Sequence, residues 1–307
     1  MKRVKIYQFG GLGNQLFHVV LANQLCNDFR VTLDSSYESK LSSKWKIPDV
    51  FQTNASSLIS KKRNLIKRKN FNLLLRLSNS GKRTKIIEVI KKFSVLLHCI
   101  FLFFEEFVIY HSYISTRIND DSDLNLKRNK NYFVIGYFQI SKYQEKQPLI
   151  IKRDTVEKII NRHNWPRISD TDIALHCRLG DYLHERKFGN LGSDYYEAAI
   201  DYLSKKGFHG KIFVFTNNLI GVSNYLPIKY RKRYLFTQVS DPIEALIYFS
   251  TSKSFIIANS TFSWWAAEIS SNLDKNVVYP WPWFREIPIG KNLIPINWVR
   301  INSNFID

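Results

Sequence analysis

The chain is poor in the residues that staple small or exported proteins together. Its 307 residues include only three cysteines, one methionine and nine prolines. Cys26, Cys99 and Cys177 are odd in number, far apart and free of any Cys-x-x-Cys pairing, which excludes a disulfide framework and a zinc knuckle and fits a reducing compartment. Long apolar runs are also missing. The most apolar stretch, Phe93 to Phe104, is 12 residues long and stops at Glu105-Glu106, short of the roughly 20 that a bilayer-spanning helix needs. A buried helix is the reading of this stretch. Met1 to Phe9 passes from basic residues into a strand-like stretch without the apolar core of a signal peptide, so a cytoplasmic location is expected. The Asn-x-Ser/Thr triplets at Asn54 and Asn259 are accordingly not read as glycan acceptors.

Negative charge is scarce. With 26 acidic against 45 basic residues the formal charge is +19, and it is unevenly placed: Lys61 to Lys92 carries 12 Lys or Arg against one Glu, a net +11. No RNP, zinc-finger or helix-turn-helix signature accompanies this segment, so nucleic acid is not expected as a partner. The cations lie among Ile, Leu and Val at helical spacing, a pattern better suited to peripheral contact with an anionic membrane, with a solvated basic face as the alternative.

What is present is an α/β pattern long enough for two domains. Val4 to Phe9 reads as a strand, Gly10-Gly-Leu-Gly-Asn-Gln15 as a turn, Leu16 to Leu25 as a helix and Arg30 to Asp34 as a second strand. This βαβ opening resembles a dinucleotide fingerprint, but Leu16 stands where the last glycine belongs. Asn14 and Gln15 offer amides suited to sugar hydroxyls. Ser35 to Ser57 reads as loop, and the polar stretch Asp120 to Lys130 as a connection. Phe133 to Gln139 reads as a strand followed by Lys142 and Tyr143. The domain boundary is placed near Pro148, giving an N-terminal domain 1–148, with a basic helical insertion over about 58–110, and a C-terminal domain 149–307.

The second half alternates strand and helix more clearly. Strands are expected from Ile173, Ile212 and Phe255, separated by helical patterns, which argues for a doubly wound parallel sheet. The tail, Val277 to Trp298, reads as extended packing. Arg178, Gly180 and Asp181 crowd the end of the strand Ile173 to Cys177, where open α/β sheets bind ligands. An Arg there presents a planar fork of donors to a phosphate; the same residues would also serve as a structural Arg–Asp pair closing a turn. Asn259-Ser-Thr-Phe-Ser263 leaves the third strand and enters a helix, so the hydroxyls of Ser260, Thr261 and Ser263 and the free amides of the helix start form an anion site or, more simply, an N-cap. Trp264 and Trp265 read first as core. Neither Asp-x-Asp triplet, at Asp121 and at Asp170, follows a buried strand, and the histidines lack ligand spacing, so no metal is expected.

Taken together, these segments resemble the bacterial α-1,2-fucosyltransferases, glycosyltransferase family 11. The resemblance rests on Gly10-Gly-Leu-Gly-Asn-Gln-Leu-Phe17, Gly136-Tyr-Phe-Gln139 with Lys142-Tyr143, His176-Cys-Arg-Leu-Gly-Asp-Tyr182 and Ile257 to Ala267, in the family's order. It implies a GT-B-like architecture of two Rossmann-like domains facing a cleft, with a parallel sheet in the C-terminal domain. It also implies GDP-fucose as donor, no cofactor or required metal, inversion at the sugar carbon, and α-1,2 transfer to a glycan hydroxyl, galactose first, in O-antigen or capsule synthesis on an acceptor that a lipid can carry. Carried over by residue, Arg178 holds the β-phosphate and His176 lines the nucleotide site. Asn217 and Ser260, Thr261, Phe262 and Ser263 contact the donor, while Gly11, Gly13, Asn14 and Gln15 lie on the acceptor side. Asp181 and Asp34 are the candidate bases. Leu179 departs from the family's second Arg, which weakens support around the site, and Asn217-Asn218 replaces the common Ser-Asp-Asp. The rivals are a transferase using another nucleotide sugar, an NAD-dependent oxidoreductase built on the first βαβ unit, and a non-catalytic basic module.

Overall fold

The computed structural model describes residues 1–35, 46–58, 73, 85–106, 111–114, 124, 126–287, 289–290 and 292–306. Most of the basic segment and both carboxylates of Asp121-x-Asp123 fall outside the described residues. The chain divides into two compact units, each an α/β layer structure on its own parallel sheet. One contains Met1–Leu41, Gln52–Leu149 and Gly290–Leu293, the other Ser42–Phe51, Ile150–Ile289 and Ile294–Asp307. These are the Rossmann-like units that the GT-B-like resemblance implied.

In the first unit, β1 (Arg3–Tyr7) leads through α1 (Leu12–Leu25) to β2 (Arg30–Asp34). The sheet runs β3-β2-β1-β5-β4, with β3 at Ser56–Leu58, β4 at His111–Ile114 and β5 at Tyr132–Ile135, every neighbour parallel. The stretch read as loop therefore supplies a strand as well as α2 (Ile47–Val50). Three residues of β3 pair with Thr32 to Asp34, too few to leave an alternation in the sequence. Helix α1 starts at Leu12, earlier than expected, so Gly13, Asn14 and Gln15 lie in its first turn. Leu16, in place of the third glycine, is buried in the core.

The expectation of a buried helix over the apolar run is corrected. Basic and apolar residues form one helix, α3 (Lys85–Glu106), and Phe93 and Leu96 are 66% and 58% exposed. Among the described residues, no helix is long and apolar enough to cross a membrane. A short α4 (Ser141–Lys146) follows β5.

The second unit takes in α2 and continues with α5 (Thr155–His163), β6 (Ile173–Cys177), β7 (Asn190–Leu191), α6 (Ser193–Lys205), β8 (Ile212–Thr216), β9 (Tyr234–Phe236), α7 (Pro242–Ser250), β10 (Ser254–Ile256), α8 (Thr261–Glu268), β11 (Asn276–Trp281), β12 (Val299–Asn302) and β13 (Phe305–Ile306). Its main sheet runs β12-β11-β10-β6-β8-β9 and is parallel throughout; β7 and β13 form a small antiparallel pair. Every residue of β6 is buried, as the central strand of a sheet covered on both faces requires. The tail read as extended packing builds two strands of this sheet, β11 and β12. Pro280 within β11 hid it, because proline argues against a strand away from a sheet edge.

From β6 the chain moves to β8 and β9 on one side, then crosses to β10, β11 and β12 on the other. The switch point lies at the C-terminal ends of β6 and β10, where the order reverses. Trp264 and Trp265 of α8 are fully buried and meet edge to face at 4.9 Å, and Trp264 also packs on Trp298 at 5.8 Å. They are core.

Candidate functional site

The register of the second sheet puts the chemistry in one place. Cys177 pairs with Thr216 across β6 and β8, so Arg178 and Asn217 are the next residues out on adjacent strands. There the chain opens a cavity of about 890 Å³, lined on one side by His176, Arg178, Asn217 and Phe262 and on the other by the segment Thr237 to Ser240 with Pro242. A volume of this size accommodates a nucleotide-sized ligand.

His176, on β6, is 3% exposed and packs against the Phe262 ring at 5.2 Å. Burial, and next the charge of Arg178, push its pKa down to about 3, so the imidazole is neutral near pH 7. Its buried Nδ1 has no hydrogen-bond partner among the described residues. A neutral ring with a buried, unsatisfied nitrogen at a cavity wall is suited to a ligand's hydrogen bond.

Arg178 is half-buried, with its guanidinium over the Tyr182 ring, 5.3 Å from the centroid. Tyr182 stacks on Phe188 at 4.8 Å and donates its hydroxyl to the Asn259 carbonyl at 3.1 Å. Asn259 in turn donates its amide to the carbonyls of Phe188 and Gly189, so the loops leaving β6 and β10 are tied together. Its 1% exposure and internal bonding agree with its not being a glycan acceptor.

The turn after Arg178 is held by Asn217. Its Oδ1 accepts from the Leu179 backbone N–H at 3.1 Å, and its Nδ2 packs where a Gly180 side chain would be, 2.2 Å from an added Cβ; Gly180 itself has φ +62. Asn217 is thus both a cavity-lining residue and the clamp on the Arg178 turn. Leu179, expected to weaken the site as a substitute for Arg, is 1% exposed and lies in the unit's hydrophobic core. It anchors the turn from below. Asp181 follows in this turn, and its side chain lies outside the described residues.

Helix α8 points its N-terminus at the same edge. Ser260 is the N-cap, its hydroxyl accepting from the Phe262 N–H at 3.4 Å. Ser263 is fully buried and donates its hydroxyl to the carbonyls of Ala258 and Ser260. Its hydroxyl is therefore committed to backbone rather than presented to a ligand. Of the four residues Ser260 to Ser263, only Phe262 lines the cavity.

The far wall, Thr237 to Ser240, carried no readable motif. Thr237 donates to the Val214 carbonyl, and Asp241 caps α7 by accepting from the N–H groups of Ile243 and Glu244. The available signal was the Asp-Pro start of that helix, which locates a loop at the sheet's C-terminal edge.

The acceptor-side residues gather in the other unit, at the ends of the adjacent strands β1 and β5. The Gln139 amide donates to Asn14 Oδ1 at 2.9 Å, and Gln15, 1% exposed, donates to the Gly10 carbonyl at 2.9 Å. Gln15 is thus used internally, not offered to a sugar. Gly10 is the constrained glycine, with φ +81 and a would-be Cβ 2.8 Å from Asn14; Gly11 is the N-cap of α1 and Gly13 is buried within it. His18 donates Nε2–H to the Gly136 carbonyl at 2.7 Å, and burial lowers its pKa to about 4. Asp34 is 5% exposed at the end of β2. Asp172, of the second Asp-x-Asp, accepts from the Ser169 and Lys211 N–H groups and closes a turn.

The family described as Glycosyl transferase family 11 matches residues 3–286. Two curated relatives from Escherichia coli are similar over about half of the chain. The O-antigen biosynthesis glycosyltransferase WbnK is 30% identical over 178 residues, covering 53% of this chain and 59% of its own length. An alpha-1,2-colitosyltransferase is 28% identical over 190 residues, covering 55% and 62%. The matched stretch thus spans about three fifths of these relatives. Among solved structures, a family 9 glycosyl transferase from Veillonella parvula is 13% identical with a TM-score of 0.48, covering 98% of this chain and 87% of that one.

Proposed function

The chain belongs to glycosyl transferase family 11, and from that premise we propose that it transfers a deoxyhexose, L-fucose first, from a GDP-sugar to a glycan hydroxyl in O-antigen synthesis. The observation that carries the reading is the cavity at the C-terminal ends of β6 and β8, with Arg178 and neutral His176 on its wall. The acceptor oxygen attacks the anomeric carbon from the face opposite the diphosphate. The bond from that carbon to the phosphate oxygen breaks, the GDP departs with the electron pair, and the hydroxyl proton passes to a base or to solvent, so the configuration inverts. Negative charge grows on the leaving diphosphate, and the Arg178 guanidinium on the cavity wall stabilises it; no metal enters this scheme.

The clamp on the Arg178 turn gives one test of this reading. Asn217→Ala removes the acceptor for the Leu179 N–H and is expected to lower kcat about tenfold, the value of one well-placed hydrogen bond. Asn217→Asp keeps that oxygen but sets a carboxylate at the wall where negative charge grows on the diphosphate, so it is expected to keep the fold and to lose rate as well. An unchanged kcat in Asn217→Ala would show that the turn does not depend on this hydrogen bond.

A second reading concerns the donor. One relative's name specifies colitose, which is fucose without one hydroxyl, so GDP-colitose is the competing donor. Offering GDP-fucose, GDP-colitose and UDP-galactose with galactoside acceptors, and weighing the products, separates the cases. A GDP-deoxyhexose is expected to be used. Transfer from the UDP-sugar alone would overturn the proposal, and thermal stabilisation by NADH rather than GDP would favour an oxidoreductase.

A further inference from the structure

We propose that the exposed face of α3 docks on the surface of an anionic lipid bilayer. Val89, Phe93, Leu96 and Ile100 are 65%, 66%, 58% and 41% exposed. Their spacing of four, three and four residues keeps them within about 60° of the helix circumference and along about 17 Å of its axis. Ser94, on another face, is 1% exposed, so the helix already has a side turned inward and the apolar stripe is the side turned out. A contiguous apolar stripe of this kind marks a contact surface.

Charge decides what the stripe meets. Lys92 is exposed beside it, and the 32 residues ending there carry 12 Lys or Arg against one Glu. A second copy of the chain, docked stripe to stripe, would bring together two chains of formal charge +19, which like-charge repulsion opposes. Nucleic acid would satisfy the cations and leave four large apolar side chains in water. An anionic bilayer satisfies both: the apolar side chains enter the headgroup boundary while Lys92 beside them meets lipid phosphates, and the net positive charge of the chain favours the anionic surface. The helix then lies in the plane of the interface, since among the described residues none is long and apolar enough to cross. This docking is independent of the donor chemistry, because α3 and the cavity belong to different units.

The test is flotation of the full chain with phosphatidylcholine vesicles, with and without phosphatidylglycerol, at low and high salt. Binding is expected to need phosphatidylglycerol and to weaken with salt. Phe93→Ser with Leu96→Ser is expected to weaken it at least about tenfold, while circular dichroism and transfer to a soluble galactoside stay unchanged. Three results would overturn the proposal: no vesicle binding, equal binding by the parent and the double variant, or a dimer in sedimentation that the substitutions dissociate without any vesicle binding.

Discussion

Arg178→Ala is expected to lower kcat/KM for transfer from a GDP-deoxyhexose by about 10² to 10³, the loss typical when one preorganised donor is removed from a developing negative charge. The fold is expected to survive. Arg178 is half-buried and stands on the Tyr182 ring, but the turn around it is held by Asn217, by the Tyr182 hydroxyl on the Asn259 carbonyl and by Leu179 in the core. Arg178→Lys is expected to lose most of the same activity, because an ammonium on a flexible stem does not reproduce the planar fork. Steady-state kinetics with near-ultraviolet circular dichroism would check both variants. Near-normal turnover by Arg178→Ala in a folded protein would remove the central claim.

Acid is expected to destabilise the two units well above the range where carboxylates titrate. His18 and His176 are both pushed down by burial, to about 4 and about 3, and both titrate near 6.5 in the unfolded chain. Between those values the unfolded chain binds the proton and the folded chain does not, so stability is full above pH 6.5 and falls as the pH falls. From pH 6.5 to 5 each histidine costs up to about 2 kcal/mol. His18 acts in the first unit and His176 in the second, so each unit loses its own share. Urea denaturation at several pH values in this window would check the slope. In His18→Gln, which keeps a donor for the Gly136 carbonyl, the first unit's share is expected to vanish. A slope unchanged in that variant would assign the acid sensitivity elsewhere.

Much of the site was readable because its parts are local. A buried run ending in Arg178-Leu-Gly-Asp181 places an Arg at a strand end without knowledge of the neighbouring strands, and Ser260 ahead of Thr261 to Glu268 reads as an N-cap from spacing alone. The β2 strand, Arg30–Asp34, falls where alternation put it. Less readable were elements whose identity depends on partners. The three-residue β3 exists because Thr32 to Asp34 offer it an edge. Likewise β11 carries Pro280 and still forms, between β10 and β12. The far wall of the cavity, Thr237 to Ser240, has no residue type that announces a ligand.

Tertiary structure also redistributed roles among residues that composition treats alike. Ser260 and Ser263 are three apart and chemically identical, yet one caps a helix and the other is spent on the carbonyls of Ala258 and Ser260. Gln15 and Asn217 both carry amides beside a glycine turn. Burial turns Gln15 inward onto the Gly10 carbonyl, whereas the register of β8 against β6 sets Asn217 on the Arg178 turn. The sequence alone therefore determined the family resemblance, the α/β class, the strand ends where ligands bind and the basic segment, because each depends on residues close along the chain. Which hydroxyls and amides remain available, how neutral His176 is, and that Phe93 and Leu96 face outward were decided only by the fold. Those properties depend on what packs against each group, and the neighbours that decide them come from distant parts of the chain.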